Sequence, residues 1–390
     1  MSYVLRDYQQ KASDAAVSFF ANKTKRNNAI MVLPTGAGKS LVIADIASRL
    51  EGHTLVFQPS KEILEQNYLK LCSYGILDCS VYSASFGRKD ISRITFATIG
   101  SVKNHPELFQ HFRNIIIDEC HLVNPKEGMY KDFLTMLQCK VLGLTATPYL
   151  LSSSRDFGSM LKFITRTRPC VFSEVIYQVQ ISTLLDMGYL SKLNYYAMNP
   201  LGWNELNLKV NTTGADYTDK SVVKEYERID FYGFLVSIVR RLMNPKVGGK
   251  RKGILVFTRF LKEAQRLTQS IPGTAIVSGD TPKKERERIL EEFKAGEIPV
   301  VANVGVLTTG FDYPELDTIV MARPTMSLAL WYQIVGRAIR PHPTKEAGWI
   351  VDLCGNIKRF GEVKDLRLVN GGNGKWAVFS NNRQLTNVRF

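Results

Sequence analysis

Two stretches of this 390-residue chain carry residue types and spacings suited to chemistry. The first, PTGAGKS (34–40), sets Lys39 and Ser40 behind two glycines. It follows the strand-length apolar run AIMVL (29–33) and opens the helix-period run SLVIADIASRL (40–50). A strand, a glycine turn and a helix in that order make a phosphate-binding loop, because backbone N–H groups and the positive end of the helix converge on an anion. Pro34, Thr35, Gly36, Ala37 and Gly38 would line the phosphates. Lys39 would reach the β- and γ-phosphates of ATP, and the Ser40 hydroxyl would ligate Mg²⁺. Position 33 is Leu, so the loop is a shorter, proline-led form of GxxxxGK[ST].

The second stretch, IIIDECH (115–121), ends an apolar run in Asp118, Glu119, Cys120 and His121. Beside a phosphate loop, Asp118 is placed to hold Mg²⁺ and Glu119 to position or deprotonate the attacking water. His121 is a candidate relay, and Cys120 reads as a small buried hydrophobe. A zinc site would need Cys120 and His121 to converge, yet neighbouring strand residues point to opposite faces. The six cysteines form no CxxC pair and the five histidines no HxxxH pair, so they read as reduced thiols and isolated imidazoles.

A third stretch, QIVGRAIR (333–340), places Gln333, Gly336, Arg337 and Arg340 three and four residues apart, hence on one helical face. Two fixed guanidiniums on that face suit a polyphosphate, and arginine fingers contribute on the order of 10³–10⁵ in rate.

These groups need elements to position them. TLVFQ (54–58), RITFA (93–97), NIIID (114–118) and VLGLT (141–145) continue the pattern of AIMVL, and GILVFT (253–258), TAIVS (274–278), PVVAN (299–303), DTIVM (317–321) and GWIVDL (348–353) resume it. Continuous apolar runs indicate strands buried on both faces, as in a parallel sheet flanked by helices. Helices are expected near 261–270, 282–295 and 326–339. The fold class is therefore α/β, with two doubly wound parallel-sheet domains in series. A small hairpin is expected around the Asn pair in GGNGKWAVFSNNRQL. Lys plus Arg is 51 against 36 acidic residues, a net charge of +15 that suits a polyanionic partner such as nucleic acid. No run is long enough to span a bilayer and no apolar signal core opens the chain, so a cytoplasmic location without membrane partners is expected.

PTGAGKS, DECH, TAT (145–147), TTGFD (308–312) and QIVGRAIR stand in the order found in superfamily 2 helicases. With LRDYQQ, SGDTPKKER and NVGVLTTGFD, the chain over residues 3–355 resembles most the bacterial RadD-type DNA-repair helicases and their phage-borne relatives. The resemblance implies two tandem RecA-like domains, residues 1–168 and 169–355, with ATP in the cleft between them. The polar, glycine-bearing stretch NPLGWNELNLKVNTTGADYTD reads as an insertion near 199–230, and residues 356–390 as a short basic tail. RadD-type proteins carry a cysteine-rich, zinc-binding C-terminal region that has no counterpart among these residues.

By the same resemblance Arg6 and Gln9 read adenine, and Pro59, Ser60, Thr98 and Ser101 contact the strand. Thr145 and Thr147 link the ATP state to the nucleic-acid track. Thr308 and Thr309 touch the strand, while Gly310 and Asp312 face ATP. The expected function is an ATP- and Mg²⁺-dependent DNA helicase or translocase in repair or recombination, gripping DNA mostly through its phosphates. An RNA helicase, or the motor subunit of a restriction or defence nuclease, stands as the alternative.

Overall fold

The computed structural model describes residues 4–24, 27–137, 139–154, 158–198, 206–212, 214–245, 251, 253–307 and 313–386. The apolar runs form the strands β1 (Ala29–Val32), β2 (Thr54–Phe57), β3 (Cys79–Ser83), β4 (Arg88–Lys89), β5 (Ile94–Ala97), β6 (Asn114–Asp118) and β7 (Lys140–Thr145). A hairpin of β8 (Tyr149–Ser154) and β9 (Gly158–Phe163) comes next, then β10 (Glu174–Gln178). The first sheet has the order β10-β1-β7-β6-β2-β5-β3-β4, and every pairing is parallel except that of the short edge strand β4. The central strands β1, β2, β5 and β6 are buried along their whole length, as their unbroken apolar character requires. The carboxyl ends of β1 and β6 lie on one edge of the sheet with only β7 between them.

The second sheet is wholly parallel. It comprises β11 (Lys192–Ala197), β12 (Ile254–Thr258), β13 (Thr274–Val277), β14 (Val300–Val304), β15 (Thr318–Ala322) and β16 (Ala347–Asp352), in the order β11-β16-β15-β12-β14-β13. The helices Leu261–Ser270, Lys283–Ala295 and Leu328–Ala338 lie where the periodicity places them. The last, the arginine helix, buries Trp331, Ile334 and Val335, and one apolar core runs through it from the first domain into the second.

Three features differ from the expected organisation. Strand β10 lies beyond residue 168 but pairs with β1, so the first sheet is completed by residues expected in the second domain. Its sequence EVIYQ is half-buried at a sheet edge and lacks the long apolar run of a central strand. Within the expected insertion, residues 199–205 lie outside the described set. The helix Asp219–Arg228 buries Val222 and Tyr226 against the second domain, and the Tyr226 hydroxyl donates to Ala322 O at 2.8 Å.

The third difference is the tail, which is folded. Strands β17 (Leu366–Asn370), β18 (Trp376–Ser380) and β19 (Arg383–Gln384) make an antiparallel sheet, with the expected two-residue turn at Asn381 and Asn382. Asn381 takes φ 51°, which asparagine tolerates in such hairpins. The Gln180 amide pairs with the backbone of Leu368 in both directions, at 2.8 and 3.1 Å, and Trp376 stacks on Phe163. Among the described residues, no helix is long and apolar enough to cross a membrane.

Candidate active site

Glu119 stands where the chain leaves β6, and its backbone is left-handed (φ 50°). A non-glycine residue in that region costs on the order of 1 kcal/mol and occurs where the surroundings enforce it. The kink breaks strand alternation. Glu119 turns toward the phosphate loop, Cys120 turns under the sheet, and His121 enters a short turn beside β7. A Cβ at Gly143 of β7 would lie 2.5 Å from the Cys120 Cβ, so the glycine makes room for the thiol. Cys120 and His121 therefore diverge, although a turn rather than strand alternation separates them.

The Glu119 carboxylate meets the Lys39 ammonium at 3.4 Å through one oxygen and His121 Nδ1 at 3.3 Å through the other. Thr145 Oγ1 and Thr147 Oγ1 lie 2.9 and 3.1 Å from His121 Nδ1. On the far side of the ring, the Gln333 amide of the arginine helix lies 3.4 Å from Nε2. Residues from the ends of β1, β6 and β7 and from the second domain thus form one polar chain across the cleft. Asp118 is buried behind it, and its carboxylate accepts the Glu119 N–H at 2.9 Å.

Electrostatics separates the two carboxylates. Burial raises the pKa of Asp118, the Glu119 charge adds to the shift, and Lys39 only partly offsets it. Burial acts on Glu119 as well, but Lys39 and His121 outweigh it and hold the carboxyl below its ordinary range. Glu119 is therefore the ionised partner. Beside the Glu119–Lys39 ion pair, the side chains on offer to a cation are hard oxygen donors. Asp118, and the Ser40 hydroxyl next to Lys39 in the phosphate loop, thus fit Mg²⁺, which takes few protein ligands and completes its shell with water and phosphate oxygens. Among the described residues, no group of three or more His, Cys, Asp or Glu could cage a metal.

The phosphate loop is gripped from both sides. The Tyr8 hydroxyl and the Gln9 amide both donate to Ala37 O, at 2.8 and 3.0 Å. A Cβ on Gly38 would lie 2.5 Å from Gln9 Nε2, so only glycine admits this approach. Arg6 lies over the Tyr189 ring at 4.2 Å, and Tyr189 in turn faces Tyr8. From the second domain, Gly336 abuts Thr35, where a Cβ would sit 2.6 Å from its methyl carbon, and the buried Tyr332 lies beside the Thr35 backbone. Arg337 is 9% exposed, and burial pushes its guanidinium down to about 10 against the pull of Glu119, so it stays charged near neutrality. Arg340 follows the helix, with its stem beside Gly36.

Lys39, Asp118, Glu119, His121, Thr145, Thr147 and Gln333 thus come together, with the loop 34–40 held between Gln9 and Gly336. Pro59 and Ser60 follow β2, and Thr98 and Ser101 follow β5, farther along the same sheet edge. Ser60 caps the helix Lys61–Ser73, and Thr98 Oγ1 lies 3.0 Å from Ser101 Oγ. Thr308, Thr309, Gly310 and Asp312 lie outside the described residues. Tyr8, Tyr189 and Tyr332 were not expected here. Tyr8 was within reach, since it sits inside LRDYQQ beside Gln9, whereas Tyr189 stands in a stretch without a recognisable pattern.

Comparison with known proteins agrees with this architecture. Residues 2–150 match the family described as type III restriction enzyme, res subunit, and residues 236–342 match the helicase conserved C-terminal domain. IRC3 of Saccharomyces cerevisiae is 25% identical over 90% of this chain and 52% of its own length. The DNA 3'-5' translocase XPB2 of Sulfurisphaera tokodaii is 26% identical over 86% of this chain and 78% of its own. The ATP-dependent Type ISP restriction-modification enzyme LlaBIII, solved bound to DNA, superposes with a TM-score of 0.66 at 19% identity, over 90% of this chain and 28% of that one. The chain therefore spans only part of these proteins, about half in the case of IRC3. Together the two family matches cover well over half of the residues, and with the two RecA-like domains they give the chain the two-domain architecture of a superfamily 2 helicase.

Proposed function

We propose that the chain is an ATP-dependent DNA helicase or translocase that hydrolyses ATP between its two domains. The observation that carries this reading is the chain Lys39–Glu119–His121–Gln333, which runs from the phosphate loop into the second domain. Lys39 and the loop amides hold the β- and γ-phosphates, and Glu119, kept ionised, takes the proton of the attacking water. Ser40 and Asp118 would hold Mg²⁺, which would supply charge neutralisation at the phosphates. Arg337 and Arg340 approach from the second domain, so a γ-phosphate in the cleft favours the closed state and its loss releases it. His121 relays that state, since its Nδ1 touches Glu119 and Thr147 while its Nε2 meets Gln333. Gln9 and Arg6 bind the base side of the nucleotide.

Pro59, Ser60, Thr98, Ser101, Thr308 and Thr309 are proposed to hold the sugar–phosphate backbone of one strand, with little sequence preference. DNA is favoured because XPB2 is named a DNA translocase and LlaBIII is solved on DNA. The motif order further suggests a RadD-type role in repair or recombination. A second reading, the motor of a restriction or defence nuclease, is favoured by the res-subunit match and the LlaBIII likeness. The test is ATP turnover without nucleic acid and with single-stranded DNA, forked DNA or RNA. Strong stimulation by DNA is expected; stimulation by RNA alone overturns the DNA reading.

A further inference from the structure

Lys345 lies in the turn between the arginine helix and β16 and is only 8% exposed. Its ammonium donates three hydrogen bonds, to the carbonyls of Pro314 (2.8 Å), Leu316 (3.2 Å) and Ala338 (3.1 Å). All three of its protons are thereby used. Ala338 is the last residue of the arginine helix and follows Arg337 directly. Its carbonyl is among those a helix end leaves without an intrahelical partner. The next two carbonyls are captured too. Ile339 O accepts from Ser191 N at 2.8 Å, and Arg340 O from Ser191 Oγ at 3.0 Å. A Cβ at Gly348 would lie 2.6 Å from Ala338 O, so β16 closes over the same carbonyl.

Pro314 and Leu316 belong to the segment that follows TTGFD. Burying an ammonium costs several kcal/mol unless it is fully hydrogen-bonded, and a methionine would fill this space without that cost. The lysine is therefore explained by what it joins rather than by packing.

We propose that Lys345 is a positioning residue for ATP hydrolysis, tying the end of the arginine helix to the segment after TTGFD and so holding Arg337 and Arg340 against the phosphate loop. The inference rests on reading the cleft as the hydrolytic site. Burial pushes the Lys345 amine down to about 8, with Asp317 opposing and Arg340 adding to the shift. Glu315 and Asp317 from one segment, and Arg340 and His342 from the other, are the charged or titratable groups around it. Loss of the proton as pH rises through that value removes one of the three donors together with the charge.

The experiment is steady-state ATP turnover with saturating single-stranded DNA, over about pH 6.5 to 9.5, for the wild-type chain, Lys345→Met and Lys345→Arg. Lys345→Met is expected to lose about tenfold or more in kcat with little change in KM for ATP. The wild-type kcat is expected to fall as pH rises through about 8, and Lys345→Arg, whose guanidinium does not titrate there, to restore most of the rate and lack that fall. Wild-type kcat in Lys345→Met, or the same alkaline fall in Lys345→Arg as in wild type, overturns the inference. The Lys345→Arg comparison decides the matter even if Lys345→Met does not fold. A wild-type chain that hydrolyses no ATP with any nucleic acid overturns the hydrolytic reading along with the inference. Turnover that is indifferent to Lys345 overturns the inference alone.

Discussion

Glu119 and Arg337 are opposite charges delivered to one cleft from two domains, and each is costly to keep there. Glu119 sits in a left-handed backbone conformation, and Arg337 is almost wholly buried. Arg337→Ala should cut kcat by about 10³-fold, in line with other arginine fingers, with much less effect on ATP affinity; equal losses in both would make it a general binding group. The residues that meet at this scale were legible in sequence because phosphate loops and acidic pairs demand given residue types at given spacing. The grip of Tyr8 and Gln9 on Ala37 was not, since 28 or 29 residues separate the partners. The direction of Glu119 was hidden as well, because alternation along a strand says nothing of a kink at its end.

At the scale of elements, the decisive contact is the arginine helix against the phosphate loop. Gly336→Ala would drive a methyl group into Thr35. That clash lies across a cleft that can open, so the variant should unfold near the wild-type temperature. Its turnover should nonetheless fall about tenfold or more through poorer closure. A lowered unfolding midpoint with normal turnover would count against this account. The central strands were readable as apolar runs. Strands β3, β10 and β11 were not: CSVYS carries few apolar residues, while EVIYQ and KLNYYA are incompletely buried. A strand exposed on one side shows a weaker version of the pattern that marks a core strand.

Across the whole molecule, the C-terminal sheet is a docked part of the fold rather than a free basic arm. Trp376→Ala removes the stack on Phe163 and should cost about 2 kcal/mol, given a half-buried aromatic. An unchanged unfolding midpoint would show that the sheet contributes nothing there. The turn around the Asn pair was visible in sequence, but the docking was not, because it depends on Gln180 meeting Leu368 across 188 residues. The net charge of +15 supports a further expectation. Affinity for single-stranded DNA should fall with salt, with a log–log slope of about −3.5 to −5 for roughly five to seven contacted phosphates; a slope near zero would exclude backbone-dominated binding.

Glu119 is proposed to activate water for ATP hydrolysis in the cleft between the domains. The deciding measurement is the ATP turnover of Glu119→Gln with saturating single-stranded DNA, taken alongside nucleotide affinity. Turnover should fall on the order of 10²–10⁴ with ATP still bound. Hydrolysis at the wild-type rate would contradict it.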